Sequence, residues 1–103
     1  MKTLNYNLSQ GNKTLLTQQA SLRTMFFQLW FTGLVATDAK IEVWVSPNAN
    51  ETFRKVEAAD KTLVGANGTE FISLSGLTFA YVQFRLVVGS ATEGVITKVD
   101  VLA

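Results

Sequence analysis

Eight carboxylates, nine basic side chains and several outward aromatics are what this chain offers for chemistry; histidine and cysteine are both absent. Without histidine, a serine or threonine has no imidazole to take its proton, and no lysine stands beside a serine in a recognisable pattern. Glycoside hydrolysis needs two facing carboxyl groups, one of them held protonated. Asp38, Glu42, Glu51, Glu57, Asp60, Glu70, Glu93 and Asp100 fall instead mostly in turns or on polar positions of alternating stretches, where solvated surface charge is expected. The usual zinc and copper ligand sets need His or Cys, and Asp38, Glu57 and Asp60 lack the spacing of a calcium loop. Gly65-x-x-Gly68 has no basic residue after it, as a phosphate-cradling loop would. The reading is a non-enzymatic protein with no catalytic residue, metal or cofactor.

Two aromatic groups point to binding instead. Trp44 and Tyr81 sit on nominally outward positions of alternating segments and could form a stacking platform for a sugar ring. Phe26 and Trp30 occupy the second face of Met25 to Phe31, whose first face, Met25, Phe27, Leu29 and Phe31, is also apolar. An antiparallel sheet normally has one wet face, so Phe26 and Trp30 need cover. The N-terminal segment or another copy of the chain could supply it.

These residues must be carried by strands. Val82, Phe84, Leu86 and Val88 alternate with Tyr81, Gln83, Arg85 and Val87; Val95, Val99 and Val101 alternate with Ile96, Lys98, Asp100 and Leu102. Gly-Ser-Ala-Thr-Glu-Gly lies between them, so 79–102 reads as a β-hairpin. Ile41, Val43 and Val45 alternate with Lys40, Glu42, Trp44 and Ser46, and Pro47-Asn48-Ala49-Asn50 ends that strand. Thr52 to Val56 reads as a short strand, Glu57 to Lys61 as one helical turn or a loop, and Asn67-Gly68 as a turn. Phe71 and Ser73 alternate with Ile72 and Leu74. In residues 1–20, Leu4, Tyr6 and Leu8 alternate within a polar stretch. That stretch is an edge strand, or an arm through which Leu4 and Tyr6 dock on a neighbouring subunit. The sum is an all-β chain: a single antiparallel β-sandwich over 21–103, jelly-roll-like, with about seven or eight strands in all.

Composition sets the bounds. The chain has 103 residues, one domain's worth, and its 48% hydrophobic and 17% charged residues suit a packed core rather than disorder. A net charge of +1 with no basic run offers no footprint for nucleic acid. No apolar run is long enough to span a membrane, and the first residues lack the apolar core of a signal peptide, so synthesis in the cytoplasm is expected. Asn-x-Ser/Thr triplets begin at Asn7, Asn12, Asn50 and Asn67; they read as turn residues of a β protein rather than as glycosylation acceptors.

The order Ile41-x-Val43-x-Val45-Ser46, Asn48-x-Asn50, Phe71-Ile72-x-Leu74 and Gly76-Leu77-x-Phe79-x-Tyr81-Val82-x-Phe84-Arg85 resembles the small β-sandwich virion proteins of bacteriophages, of head-decoration, penton or fibre-base type. The resemblance spans about residues 22–103. It departs from the family pattern at Pro47 to Phe53, which replaces a Gly and Trp turn, and at Arg85, which comes late. It implies a structural role in a virion after synthesis in the host cytoplasm. The partners would be copies of the chain, as a trimer or pentamer, and other virion proteins. A carbohydrate- or receptor-binding module, recognising a host-surface glycan at Trp44 and Tyr81, is the alternative.

Overall fold

The computed structural model describes residues 2–19, 25–47, 52–75 and 80–102. Nine strands run through them: β1 (Lys2–Asn7), β2 (Lys13–Gln19), β3 (Met25–Thr32), β4 (Lys40–Ser46), β5 (Arg54–Lys55), β6 (Lys61–Thr62), β7 (Gly68–Leu74), β8 (Tyr81–Val87) and β9 (Val95–Leu102). The only helical residues among those described form two short 3-10 turns, Leu8–Gln10 and Glu57–Ala59.

The pairing has a simple rule. β1 pairs with β9, β2 with β8, β3 with β7, and β4 with both β5 and β6, all antiparallel. The chain is thus one long hairpin bent at β5 and β6. That hairpin is wound on itself, so β9 also pairs with β3 and β8 with β4. Two sheets result, β1-β9-β3-β7 and β2-β8-β4-β5, and the connections between the longer strands pass from one sheet to the other. This is jelly-roll connectivity in an all-β sandwich.

One sequence expectation is corrected. β8 and β9 do not form a hairpin: β8 lies between β2 and β4 in one sheet, β9 between β1 and β3 in the other. Alternation shows that a strand has one buried face, but not whether its successor lies beside it or across the core. Residues 88–94 are more than a tight hairpin uses, and sheets stacked roughly 10 Å apart need such a span. The phase of β9 is corrected too. Ile96 and Val99 are both buried because the register against β3 steps from Lys98 to Ile96 past Thr97, a β-bulge that shifts the alternation by one residue.

The inward positions form the core: Met25, Phe27, Leu29 and Phe31 of β3, Ile41, Val43 and Val45 of β4, and Val82, Phe84 and Leu86 of β8. Leu8, Leu15, Leu34 and Leu63 are buried in the same cluster. Loops are tied by short polar side chains. Asn12 Oδ1 accepts from the Val88 N–H, and Asn67 Oδ1 accepts from the Thr32 hydroxyl and the Gly33 N–H. Two of the Asn-x-Thr triplets therefore begin with a side chain that clamps a loop.

Candidate functional site

The candidate residues gather on the outer faces of the two sheets. The first is the outer face of β1-β9-β3-β7. Alternation on β3 turns Phe26, Gln28 and Trp30 outward while their neighbours enter the core. Register then sets the rows: Gln28 lies between Phe71 of β7 and Asp100 of β9, Trp30 between Thr69 and Lys98, and Phe26 opposite Ser73. Phe26 is 44% exposed and Phe71 61% exposed. With Gln28 and Asp100 they frame a shallow hollow of about 270 Å³. Gln28 Nε2 donates to the Thr69 hydroxyl, which donates to the Leu29 carbonyl, so the floor beside the aromatics is held in place.

The cover expected for Phe26 and Trp30 is only partial. Lys98 Nζ lies 5.2 Å from the Trp30 ring centroid and shields that indole. Phe26 has no such cation above it among the described residues. β1 cannot serve as a flap, because it is the far edge strand of the same sheet. Leu4 and Tyr6, expected to dock on a neighbour, pack on this chain's own core. The Tyr6 hydroxyl donates to the Gly11 carbonyl, with Lys13 over the ring. The structure therefore keeps Phe26 and Trp30 together and leaves Leu4 and Tyr6 out of that patch.

The sequence put Phe71 on one face of an alternating strand without saying which face is outward, and nothing in it placed Phe71 beside Phe26. That juxtaposition depends on β3 and β7 being partners.

The second face is that of β2-β8-β4-β5. It brings Trp44 and Tyr81 to one side, since Trp44 pairs with Gln83 and Ser46 with Tyr81. The two aromatics are one diagonal step apart. The Arg85 guanidinium lies 4.0 Å from the Trp44 ring centroid and donates twice to Gln83 Oε1. Trp44 Nε1 donates to Glu42. A sugar stacking on the Arg85 side of Trp44 would have to move that guanidinium.

Beside Trp44 lies a compact charge cluster. Lys40 Nζ is 3.1 Å from Asp60 and 3.4 Å from Glu42; Lys55 Nζ is 3.2 Å from each. Burial pushes the Glu42 carboxyl up, but hydrogen bonds from Trp44, Lys55 and Lys40 outweigh it and hold the group below its ordinary value. Asp60 is lowered in the same way, against burial, by Lys40 and Lys55. Hydrogen bonds to Asp60 and Glu42 raise the Lys55 ammonium. Two carboxylates held ionised are the opposite of an acid poised to give up a proton, and the cluster reads as structural.

Elsewhere, Asp38 accepts from the Ser90 N–H and hydroxyl. An apolar hollow of about 390 Å³ at one end of the sandwich lies between Leu34 and Leu63, with Val35 and Val64 each 71% exposed. Those two valines sit in loops, where no periodicity marks them.

No family model, curated protein or solved structure matches this chain.

Among the described residues, no helix is long and apolar enough to cross a membrane, and no group of three or more acidic side chains is placed to hold a metal ion.

Proposed function

We propose that this protein is a non-enzymatic structural subunit of a bacteriophage virion, of decoration, penton or fibre-base type. It assembles through the outer face of β1-β9-β3-β7 with copies of itself and with other virion proteins, after synthesis in the host cytoplasm. The observation that carries the reading is the exposed pair Phe26 and Phe71 on neighbouring strands. Adjacent exposed aromatics on a sheet face are a feature of association surfaces. The jelly-roll topology is in keeping with it, but jelly rolls serve in capsids and lectins alike. That support is fold-level analogy, and the weight rests on the patch.

The test is the solution mass by light scattering over a dilution series, for the wild type and for Phe26→Glu/Phe71→Glu. The expected result is a wild-type oligomer and a folded monomer for the double variant. A wild type that is monomeric at every concentration, or an unchanged oligomer in the folded variant, overturns the reading.

A second reading has its own observation: Trp44 and Tyr81 share one outer face, one diagonal step apart. It makes the protein a carbohydrate- or receptor-binding module. Trp44→Ala should then abolish binding on a glycan array without unfolding the domain, and retained binding would sink it.

A further inference from the structure

The four sheet edges are not alike. An edge strand offers unpaired backbone groups to any passing strand, and proteins blunt such edges with bulges, charges or very short strands. β1 breaks register against β9 between Thr3 and Tyr6, and β2 breaks register against β8 between Thr14 and Leu16 with Lys13 exposed at its start. β5 and β6 are two residues long, and each carries lysine or arginine. β7 has none of these devices. It runs seven residues in unbroken register with β3, and no described strand pairs with its other edge. Its outward residues, Thr69, Phe71 and Ser73, are exposed and uncharged. Its one charge, Glu70, is not free to guard the edge: the carboxylate is 3.8 Å from Lys61 Nζ and accepts from the Val64 N–H.

β7 is also complementary to itself. Phe71 is its middle residue, so a second β7 laid antiparallel about Phe71 sets Thr69 opposite Ser73 and Phe71 opposite its own copy. A strand pair of this kind has two-fold symmetry, in which one surface serves both partners. The row across the junction would read Asp100, Gln28, Phe71, then Phe71, Gln28, Asp100 of the copy, with no like charges directly opposed at the junction. The two Phe26–Phe71 patches would join into one.

The geometry points to β7 as the site where a second copy of this chain adds, antiparallel about Phe71, to make one continuous eight-stranded sheet. This rests on the self-association reading above and names its contact, a two-fold one that closes as a dimer and not as the trimer or pentamer the resemblance implies.

The chain has no cysteine, so engineered thiols report without background. Residues directly opposite on antiparallel strands have Cβ atoms about 4.5–5.5 Å apart, close to disulfide reach. The test is mild oxidation of Thr69→Cys alone, Ser73→Cys alone, their equal mixture, and Phe71→Cys, read on a non-reducing gel. The wild-type mass is measured alongside. The expected result is cross-linked dimer from the mixture, in about half of the chain as random pairing gives, and from Phe71→Cys. Neither other single variant should cross-link, because each thiol would lie roughly 13 Å from its own copy. Phe71→Cys leaves the Thr69 hydrogen bonds intact, so it covers a Thr69→Cys variant that fails to fold. A wild-type oligomer without either cross-link, or with cross-linking in only one of the two arms when the variants of both are folded, overturns this pairing and leaves the assembly reading standing. A wild type that stays monomeric, with no cross-link in either arm, overturns both.

Discussion

The rings of Phe27 and Phe84 lie parallel across the core, their centroids 4.1 Å apart and their planes 9° from coplanar. Phe27 belongs to β3 and Phe84 to β8, so this stack ties one sheet to the other at the centre of the sandwich. Both side chains are fully buried. Phe84→Ala removes the stack and leaves a cavity between sheets that cannot collapse independently, at a cost of about 3–5 kcal/mol. Against a total of about 5–15 kcal/mol for a domain, urea denaturation should show a large drop in midpoint. A shift below about 1 kcal/mol would mean the sheets are held together elsewhere.

Asp38 should matter more than its exposed position suggests. Its carboxylate holds the Ser90 N–H and hydroxyl, and these bonds set its pKa below the ordinary value. A group lowered on folding stabilises above its unfolded pKa, and that contribution disappears as pH falls through the folded one. Asp38→Ala should therefore lower Tm at neutral pH, and the gap to wild type should close below about pH 4. Gly89→Ala tests the same clamp from the other side. At φ +60° an added Cβ would stand 2.7 Å from the Asp38 carboxyl carbon, and the loss should exceed about 1 kcal/mol. Thermal melts across pH check both variants.

Much of the fold could be read from particular residues. Val82, Phe84 and Leu86, and Ile41, Val43 and Val45, point inward as their alternation requires. Alternation reports one buried face and nothing about partners. It therefore made β8 and β9 a hairpin, whereas the chain between them crosses the core, and the bulge at Thr97 put Ile96 and Val99 out of the expected phase. The candidate sites show the same boundary. Phe26 and Trp44 were visible as outward aromatics, but Phe71 beside Phe26 and Arg85 over Trp44 follow from strand register. Asp38 read as an ordinary turn carboxylate because its partner lies 52 positions away in sequence.

The cluster of Lys40, Glu42, Lys55 and Asp60 gives stability a limit on each side of pH. Glu42 and Asp60 are lowered, so their contribution is present above the ordinary carboxylate range and lost as pH falls through their folded values. Lys55 is raised, so its contribution is present below the ordinary lysine pKa and lost as pH rises through its folded value. Lys55→Met should lower Tm between about pH 5 and pH 9 and move the acid limb of the melting profile to higher pH, because Asp60 keeps only Lys40, and Glu42 only Lys40 and the Trp44 indole. An unmoved acid limb would assign acid sensitivity to other groups.

Phe71 should be nearly silent in the folding of the monomer. It is 61% exposed and makes no ring contact among the described residues. Phe71→Thr keeps a residue suited to a strand, so stability should change by no more than about 0.5 kcal/mol. Urea denaturation under dilute conditions measures this. A loss of several times that size would mean that the side chain is covered within its own chain, and Phe71 would drop out of the proposed contact.

Arg85 controls access to Trp44. Its guanidinium lies over the indole while Gln83 Oε1 anchors both donors, so the ring is screened on that side. Arg85→Ala in a Trp30→Phe background leaves Trp44 as the lone tryptophan. Acrylamide quenching of its fluorescence should rise, and stability should fall by about 0.5–1 kcal/mol as the cation–π contact is lost. The same variant separates two ways a sugar could use this face. Stacking on the uncovered indole would make Arg85→Ala bind a glycan more tightly. Recognition through the guanidinium's own hydrogen bonds would make it bind more weakly, and in either case Trp44→Ala should remove the binding. Unchanged quenching in Arg85→Ala would mean the guanidinium does not cover the ring in solution, and the argument that a sugar must displace it would fall.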